Sequence, residues 1–281
     1  MNRTELIEQI KTKQSYLCIG LDTDITKIPK NLQSLPDAVI EFNRAIIDAT
    51  KDHCIGYKIN TAFYEVYGVK GWEILEQTLE HIPSTHFKIA DAKRGDIGNT
   101  SAQYAKTFFE TYAFDAVTVA PYMGEDSIRP FLDHKNKFTI VLGLTSNKGA
   151  NDFEYLKTND GQYFYEKVIS KISTWASPEN LMFVVGATQA KELENIRKII
   201  PDNFLLIPGI GAQGGNLEEV SKYGINKVIE ALRQAKVTLY AVGLLEEFCK
   251  PFGRKISSGQ HVEVQPFQAL GKSPGVVVGV G

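Results

Sequence analysis

Asp91, Lys93 and Asp96 stand together in the short run DAKRGD. In an extended segment, residues two apart point the same way, so Asp91 and Lys93 can face one cavity together. Lys58, in the upstream run GYKIN, supplies a second ammonium. Two carboxylates alternating with two ammonium groups suit the protonation of a nascent carbanion. A carboxylate fixed near another anion is repelled, while a lysine beside it stays charged and can give up a proton. The competing reading is a solvated loop of mixed charge. Placement directly after an apolar run, with a second lysine on the preceding one, favours chemistry.

A second signal is PGIGAQGG, from Pro208 to Gly215. Gly209, Gly211 and Gly214 satisfy GxGxxG, follow an apolar run and precede the helical NLEEVSKYG. Such a string suits a dinucleotide fold, a single phosphate cradled by backbone N–H groups and a helix N-terminus, or a tight turn needing φ > 0. A dinucleotide fingerprint normally opens the first βαβ unit, and this one comes late in the chain, so the phosphate cradle is preferred. Gln213 can add an amide donor. Asp22, after CIGL, suits either a sugar hydroxyl or an Asx-turn. Thr145 and Ser146 suit a polar ring edge or simply begin a loop.

These residues need strands to carry them. Short apolar runs at 16–21, 54–59, 86–90, 116–120, 138–142, 181–185 and 204–207 are each bounded by Gly, Pro, Asp or Asn. Helical patterns at 37–50, 71–80, 101–112, 161–176 and 189–200 lie between them. Apolar strands alternating with helices imply βαβ units and a parallel sheet covered on both faces. Seven such units in 281 residues favour an α/β (β/α)8 TIM barrel over an open doubly wound sheet. In a barrel, functional groups gather at the C-terminal ends of strands, where every candidate above falls. Residues 1–227 hold units one to seven and the site. Residues 228–281 form an atypical segment: VIEALRQAKVTLYAV has room for a helix turn and an eighth strand, and the rest, ending in a Gly/Val repeat, reads as loop, a stray strand or disorder, so the segment need not complete the eighth unit.

Composition excludes several classes. Hydrophobic residues at 43% and charged residues at 23% suit a globular domain rather than a disordered or fibrous chain. A net charge of −2 gives no general attraction to nucleic acid or anionic lipid. Cys18, Cys54 and Cys249 are odd in number and lack ligand spacing, so neither a disulfide framework nor a zinc site is expected. His53, His81, His86, His134 and His261 are scattered, and Trp72, Trp175 and Cys54 are expected to pack. The opening MNRTELIEQIKTKQ lacks a signal-peptide core and no apolar run is long enough to span a membrane, so a cytoplasmic enzyme is expected.

The runs CIGLDTD (18–24), GYKINTAFYE (56–65), DAKRGDIGNTSAQYA (91–105), TVAPYMGEDSIRPF (118–131), LGLTSNKGANDF (142–153), VVGATQ (184–189) and PGIGAQGG (208–215) together resemble the orotidine 5′-phosphate decarboxylases, and more narrowly their longer bacterial (type 2) subgroup. The resemblance implies a lyase of de novo pyrimidine biosynthesis that converts orotidine 5′-phosphate to UMP and CO2 without a metal or organic cofactor. It implies that Asp22 holds the ribose and that Lys58 binds ribose and organises the charges. Asp91 would face the orotate carboxylate, and Lys93 would protonate pyrimidine C6. Asp96 and Thr100 would serve the active site of a partner subunit, which implies a homodimer. Ser146, or Thr145, would meet the pyrimidine edge, and Gln213 with Gly211 and Gly214 the 5′-phosphate. The family's eighth strand and its Asn-Ser-Ser-Arg phosphate clamp have no counterpart here; Arg233 and Arg254 are the nearest basic residues. Three other readings remain: a related magnesium-dependent sugar-phosphate decarboxylase or aldolase, a phospho-ligand binder that has lost catalysis, and a dinucleotide oxidoreductase.

Overall fold

The computed structural model describes residues 1–210, 214–227 and 229, and the backbone of 278–280. Eight parallel strands form a closed barrel in chain order. They are β1 (Leu17–Gly20), β2 (Gly56–Asn60), β3 (Phe87–Arg94), β4 (Ala116–Val119), β5 (Phe138–Leu144), β6 (Leu181–Val185), β7 (Leu205–Pro208) and β8 (Val278–Val280). All seven expected strands are present, because each apolar run is buried on both faces, as a parallel barrel demands.

The eighth strand differs from expectation. It comes from the terminal Gly/Val repeat, which pairs with the otherwise open edges of both β7 and β1. Unpaired strand edges present rows of free N–H and C=O groups, and three residues of extended chain suffice to satisfy part of each row. The stretch in which an eighth strand was expected, and Arg233 and Arg254, lie outside the described residues.

Helices cover the barrel. In chain order they are α1 (Arg3–Lys13), α2 (Lys30–Gln33), α3 (Ala38–Thr50), α4 (Ala62–Glu65), α5 (Val69–His81) and α6 (Gly98–Lys106). They continue as α7 (Glu125–Leu132), α8 (Ala150–Phe153), α9 (Phe164–Ser173), α10 (Leu193–Ile199) and α11 (Leu217–Gly224). The expected 101–112 helix is α6 running into a π turn at Thr107–Thr111, and the expected 189–200 helix begins as a 3-10 turn at Ala187–Glu192. Trp72 stacks on Tyr112 at 5.4 Å between ring centroids, and Cys54 is buried, as expected; His86 is buried too. Burial lowers the His86 pKa, and its Nε2 meets the Lys51 carbonyl at 2.7 Å.

Helix α1 closes the N-terminal mouth of the barrel. Leu6 and Ile10 are buried beneath the strands, and Arg3 donates to the carbonyls of Pro178 and Asp202 at 2.8 and 2.7 Å. A small apolar cavity above it is lined by Leu6, Cys18, Phe87, Ile89, Ile140 and Met182 among others. That end is plugged and greasy, so polar chemistry belongs to the opposite mouth.

Candidate active site

Lys58 sits on β2, flanked by Gly20 on β1 and Ile89 on β3. Its side chain is buried and its Nζ lies 3.1 and 3.0 Å from the two oxygens of Asp22 and 3.4 Å from Asp91 Oδ2. Asp22 stands just beyond β1, where it also accepts the Asn60 N–H at 3.0 Å. Burial opposes the charge on Lys58, but the Asp22 and Asp91 carboxylates outweigh it and raise the lysine's pKa.

Asp91 and Lys93 lie within β3 itself rather than beyond it. Lys93 Nζ donates to Asp91 Oδ1 at 2.8 Å, and its side chain is half exposed. Burial works against the Asp91 carboxylate, yet Lys58 and Lys93, with a hydrogen bond from Thr118, hold its pKa below the ordinary carboxylate range. The strands therefore assemble a row running Asp22, Lys58, Asp91, Lys93, at the C-terminal mouth of the barrel. Lys58 and Asp91 are thereby held in their charged forms before any ligand enters, which is the preorganisation that electrostatic catalysis needs.

The remaining expected residues divide. Asp96 and Thr100 are not joined to this row among the described residues. Asp96 Oδ1 accepts the N–H of Ile97, and Thr100 is exposed in the first turn of α6. The Thr145 hydroxyl is engaged by Glu154 at 2.8 Å and by Asn147, while its backbone N–H donates to Glu154 at 2.7 Å. Ser146, half-buried, makes no hydrogen bond to a described residue. The end of β6 presses against it: a Cβ at Gly186 would come within 2.6 Å of Ser146 Cβ, so only glycine fits there.

Gly211 and Gln213 lie outside the described residues. Gly209 and Gly214 take positive φ values of 95° and 86°, and Gly215 donates back to the Gly209 carbonyl at 3.0 Å. Helix α11 follows the loop. The Asn216 side chain already accepts the N–H groups of Glu218 and Glu219, and those two carboxylates make its first turn acidic.

Three supporting groups escaped the sequence reading. Thr118 on β4 contacts both Asp91 and the Lys93 backbone. Asn43, buried on α3, accepts from Thr23 at 2.6 Å and donates to Tyr64 and Thr78 at 2.9 and 3.0 Å; Tyr64 in turn donates to the Leu21 carbonyl at 2.8 Å. Thr23 and Leu21 flank Asp22, so this network holds the chain on both sides of it. The available signal was a lone polar residue within an otherwise apolar stretch, as Thr118 is in AVTV.

Comparison with known proteins gives the family and the fold. A family model described as "Orotidine 5'-phosphate decarboxylase / HUMPS family" matches residues 15–238. The orotidine 5′-phosphate decarboxylase of Bacteroides fragilis is 55% identical over 251 residues, covering 88% of this chain and 92% of that protein. The enzyme of the same name from Christiangramia forsetii is 54% identical over 273 residues, covering 96% of this chain and 100% of that one. Among solved structures, Leishmania donovani OMP decarboxylase superposes with a TM-score of 0.71 at 34% identity, over 81% of this chain and 85% of that one. Leishmania donovani UMP synthase gives a TM-score of 0.72 at 35% identity, over 81% of this chain and 49% of that one. With a family model matched across most of its length and relatives of this identity, the chain belongs to the orotidine 5′-phosphate decarboxylase family, as a carboxy-lyase of its longer bacterial form.

Proposed function

We propose that the chain performs this decarboxylation through the Lys58, Asp91 and Lys93 array, with Lys93 as the proton donor. The observation that carries the reading is the gripping of the two oxygens of Asp91 by different lysines, at 3.4 Å for Lys58 and 2.8 Å for Lys93. Ribose and phosphate contacts, remote from the reacting bond, hold the pyrimidine over the array. Asp22 takes the ribose, Ser146 the ring edge, and the 209–215 loop, with Gln213, Gly211 and Gly214, the phosphate. Thr145 is the weaker ring contact because Glu154 engages it.

Asp91 crowds the substrate carboxylate. The bond from C6 to the carboxylate carbon breaks, its electron pair stays on C6, and CO2 leaves. Lys93 stabilises the developing charge and transfers one proton to C6, giving UMP, and the neutral amine regains a proton from solvent through its exposed half. The array needs no metal. Lys58 already pairs with both Asp22 and Asp91, so a divalent cation between them would have to displace a buried ammonium. This disfavours the magnesium-dependent sugar-phosphate reading.

Asp96 and Thr100 are proposed to serve the partner subunit's site in a homodimer. In support, large apolar side chains near Asp96 are exposed: its neighbour Ile97 is 55% exposed, and Met123, which lies against Gly95, is 43% exposed. Among the described residues no helix is long and apolar enough to cross a membrane.

The test is an assay of the purified chain with orotidine 5′-phosphate in excess EDTA. UMP and CO2 should form in equal amounts. Ligand binding without CO2 release would instead identify a phospho-ligand binder, and turnover of sugar phosphates only with added magnesium would identify the related decarboxylase or aldolase.

A further inference from the structure

The pairing of β3 with β4 is interrupted at the charged row. Ala90 pairs with Val117, but Arg94 pairs with Val119. Four steps along β3 thus face two along β4, and the excess is taken up across Asp91, Ala92 and Lys93 as a bulge. Lys93 carries the strain, with a left-handed φ of 46° that side-chain-bearing residues rarely adopt. A bulge of this kind frees the backbone groups of the extra residues from the ladder, and something else must satisfy them.

Thr118 does so. It is fully buried on β4 opposite the bulge. The Lys93 backbone N–H donates to Thr118 Oγ1 at 2.9 Å, and the same hydroxyl lies 3.0 Å from Asp91 Oδ1. A hydroxyl has one proton. Since the amide can only donate, the threonine proton is committed to Asp91, and the direction of the chain N–H to hydroxyl to carboxylate is set. Asp91 Oδ1 is also the oxygen that accepts from Lys93 Nζ. One hydroxyl therefore ties the backbone of Lys93 to the carboxylate that its own ammonium touches.

We infer that Thr118 is a positioning residue of the reaction, fixing the Asp91 carboxylate relative to the Lys93 ammonium by bolting the β3 bulge. The inference rests on the decarboxylase reading for its kinetic consequences, but its structural half stands apart. Thr118→Val keeps the branched shape and removes the hydroxyl; Thr118→Ser keeps the hydroxyl. In the free protein, the Lys93 amide should exchange with solvent at least about 10-fold faster in Thr118→Val and near the parent rate in Thr118→Ser. With orotidine 5′-phosphate, kcat should fall about 10- to 100-fold in Thr118→Val while KM changes little, with Thr118→Ser restoring most of it. The acid limb of the kcat profile should move to higher pH in Thr118→Val, because the carboxylate has lost a donor. If Thr118→Val fails to fold, Thr118→Cys, a much weaker donor and acceptor, takes its place in every measurement. Unchanged Lys93 exchange, or equal losses in the valine and serine variants, would overturn the bolt. An unvaried chain that releases no CO2 would instead sink the decarboxylase reading, and the exchange rates would still decide the bolt.

Discussion

Lys58 and Lys93 hold opposite oxygens of one carboxylate, that of Asp91, yet they differ in environment. Lys58 is nearly sealed from solvent, with 4% of its side chain exposed, whereas 50% of Lys93 remains open. In the proposed reaction the two ammonium groups accordingly take separate duties. A sealed ammonium between two carboxylates is an electrostatic anchor, and an open one touching the same carboxylate can reach a ligand, lose a proton and recover it.

Removing the open one should damage turnover and spare the fold. Lys93→Ala is expected to lower kcat by at least about 10²–10⁴-fold, the usual share of a general acid. Its thermal midpoint should stay close to the parent's, since half of the side chain already contacts water. Release of CO2 alongside a thermal melt checks both halves. Near-normal turnover would remove Lys93 as the proton donor.

Lys58→Met should do the reverse damage. It leaves Asp22 and Asp91 facing each other with no cation between them, a change expected to cost about 3–5 kcal/mol. The pH dependence follows from the two pKa directions. Asp91 is lowered from its ordinary 3.8, so its contribution is full above that pH and is lost as pH falls through the folded value. Lys58 is raised from its ordinary 10.5, so its contribution is full below that pH and is lost as pH rises through the folded value. The stability gap between parent and variant should hold across the range between and shrink as pH falls below 3.8 and Asp91 protonates. Urea melts at a series of pH values measure it; a gap that widened in acid would contradict the arrangement.

The sequence made the strands legible because each is sealed on both faces, and a sealed strand must be a continuous apolar run. It made Asp91 and Lys93 legible as a pair through their spacing, though the expected regular alternation is not what joins them. Their meeting depends on a bulge, and a bulge is a property of two strands at once. Nothing in DAKRGD states that Val117 and Val119 will pair two residues out of step with it. The closing strand was hidden for a related reason. GVVVGV has weak local character, and only the waiting edges of β7 and β1 give it a role. The acidic first turn of α11 was readable in NLEEVSKYG, but its cap shows only when Asn216 is seen to occupy the N–H groups.

Asn43 offers a test of the support beneath Asp22. The hydroxyls of Tyr64 and Thr78 spend their protons on the carbonyls of Leu21 and Ile74, so both can only accept from Asn43 Nδ2. Asn43→Ala should strand the Thr23 hydroxyl and cost about 1–3 kcal/mol. Asn43→Asp should lose at least as much, because a carboxylate there brings lone pairs against lone pairs in a buried site. The denaturant midpoint at unchanged slope measures both. An aspartate variant as stable as the parent would refute the network.

The shared-site proposal makes a quantitative claim. Asp96 lies three residues from Lys93 but is bonded to neither lysine among the described residues, and its neighbour Ile97 is exposed. If it completes the site of a second subunit, Lys93→Ala and Asp96→Ala inactivate different halves of each site. Each homodimer is then defective at both sites. On mixing and re-equilibration, half of the dimers become heterodimers, and each heterodimer gathers both defects in one site and leaves the other intact. Activity should rise from near zero to about a quarter of the parent's, the share of intact sites expected for a twofold dimer at equal mixing. If Asp96 instead serves its own chain's Lys93, every site carries one defect or the other and mixing restores nothing. Steady-state assay of the mixture, beside sedimentation to establish that subunits have exchanged, separates the two arrangements.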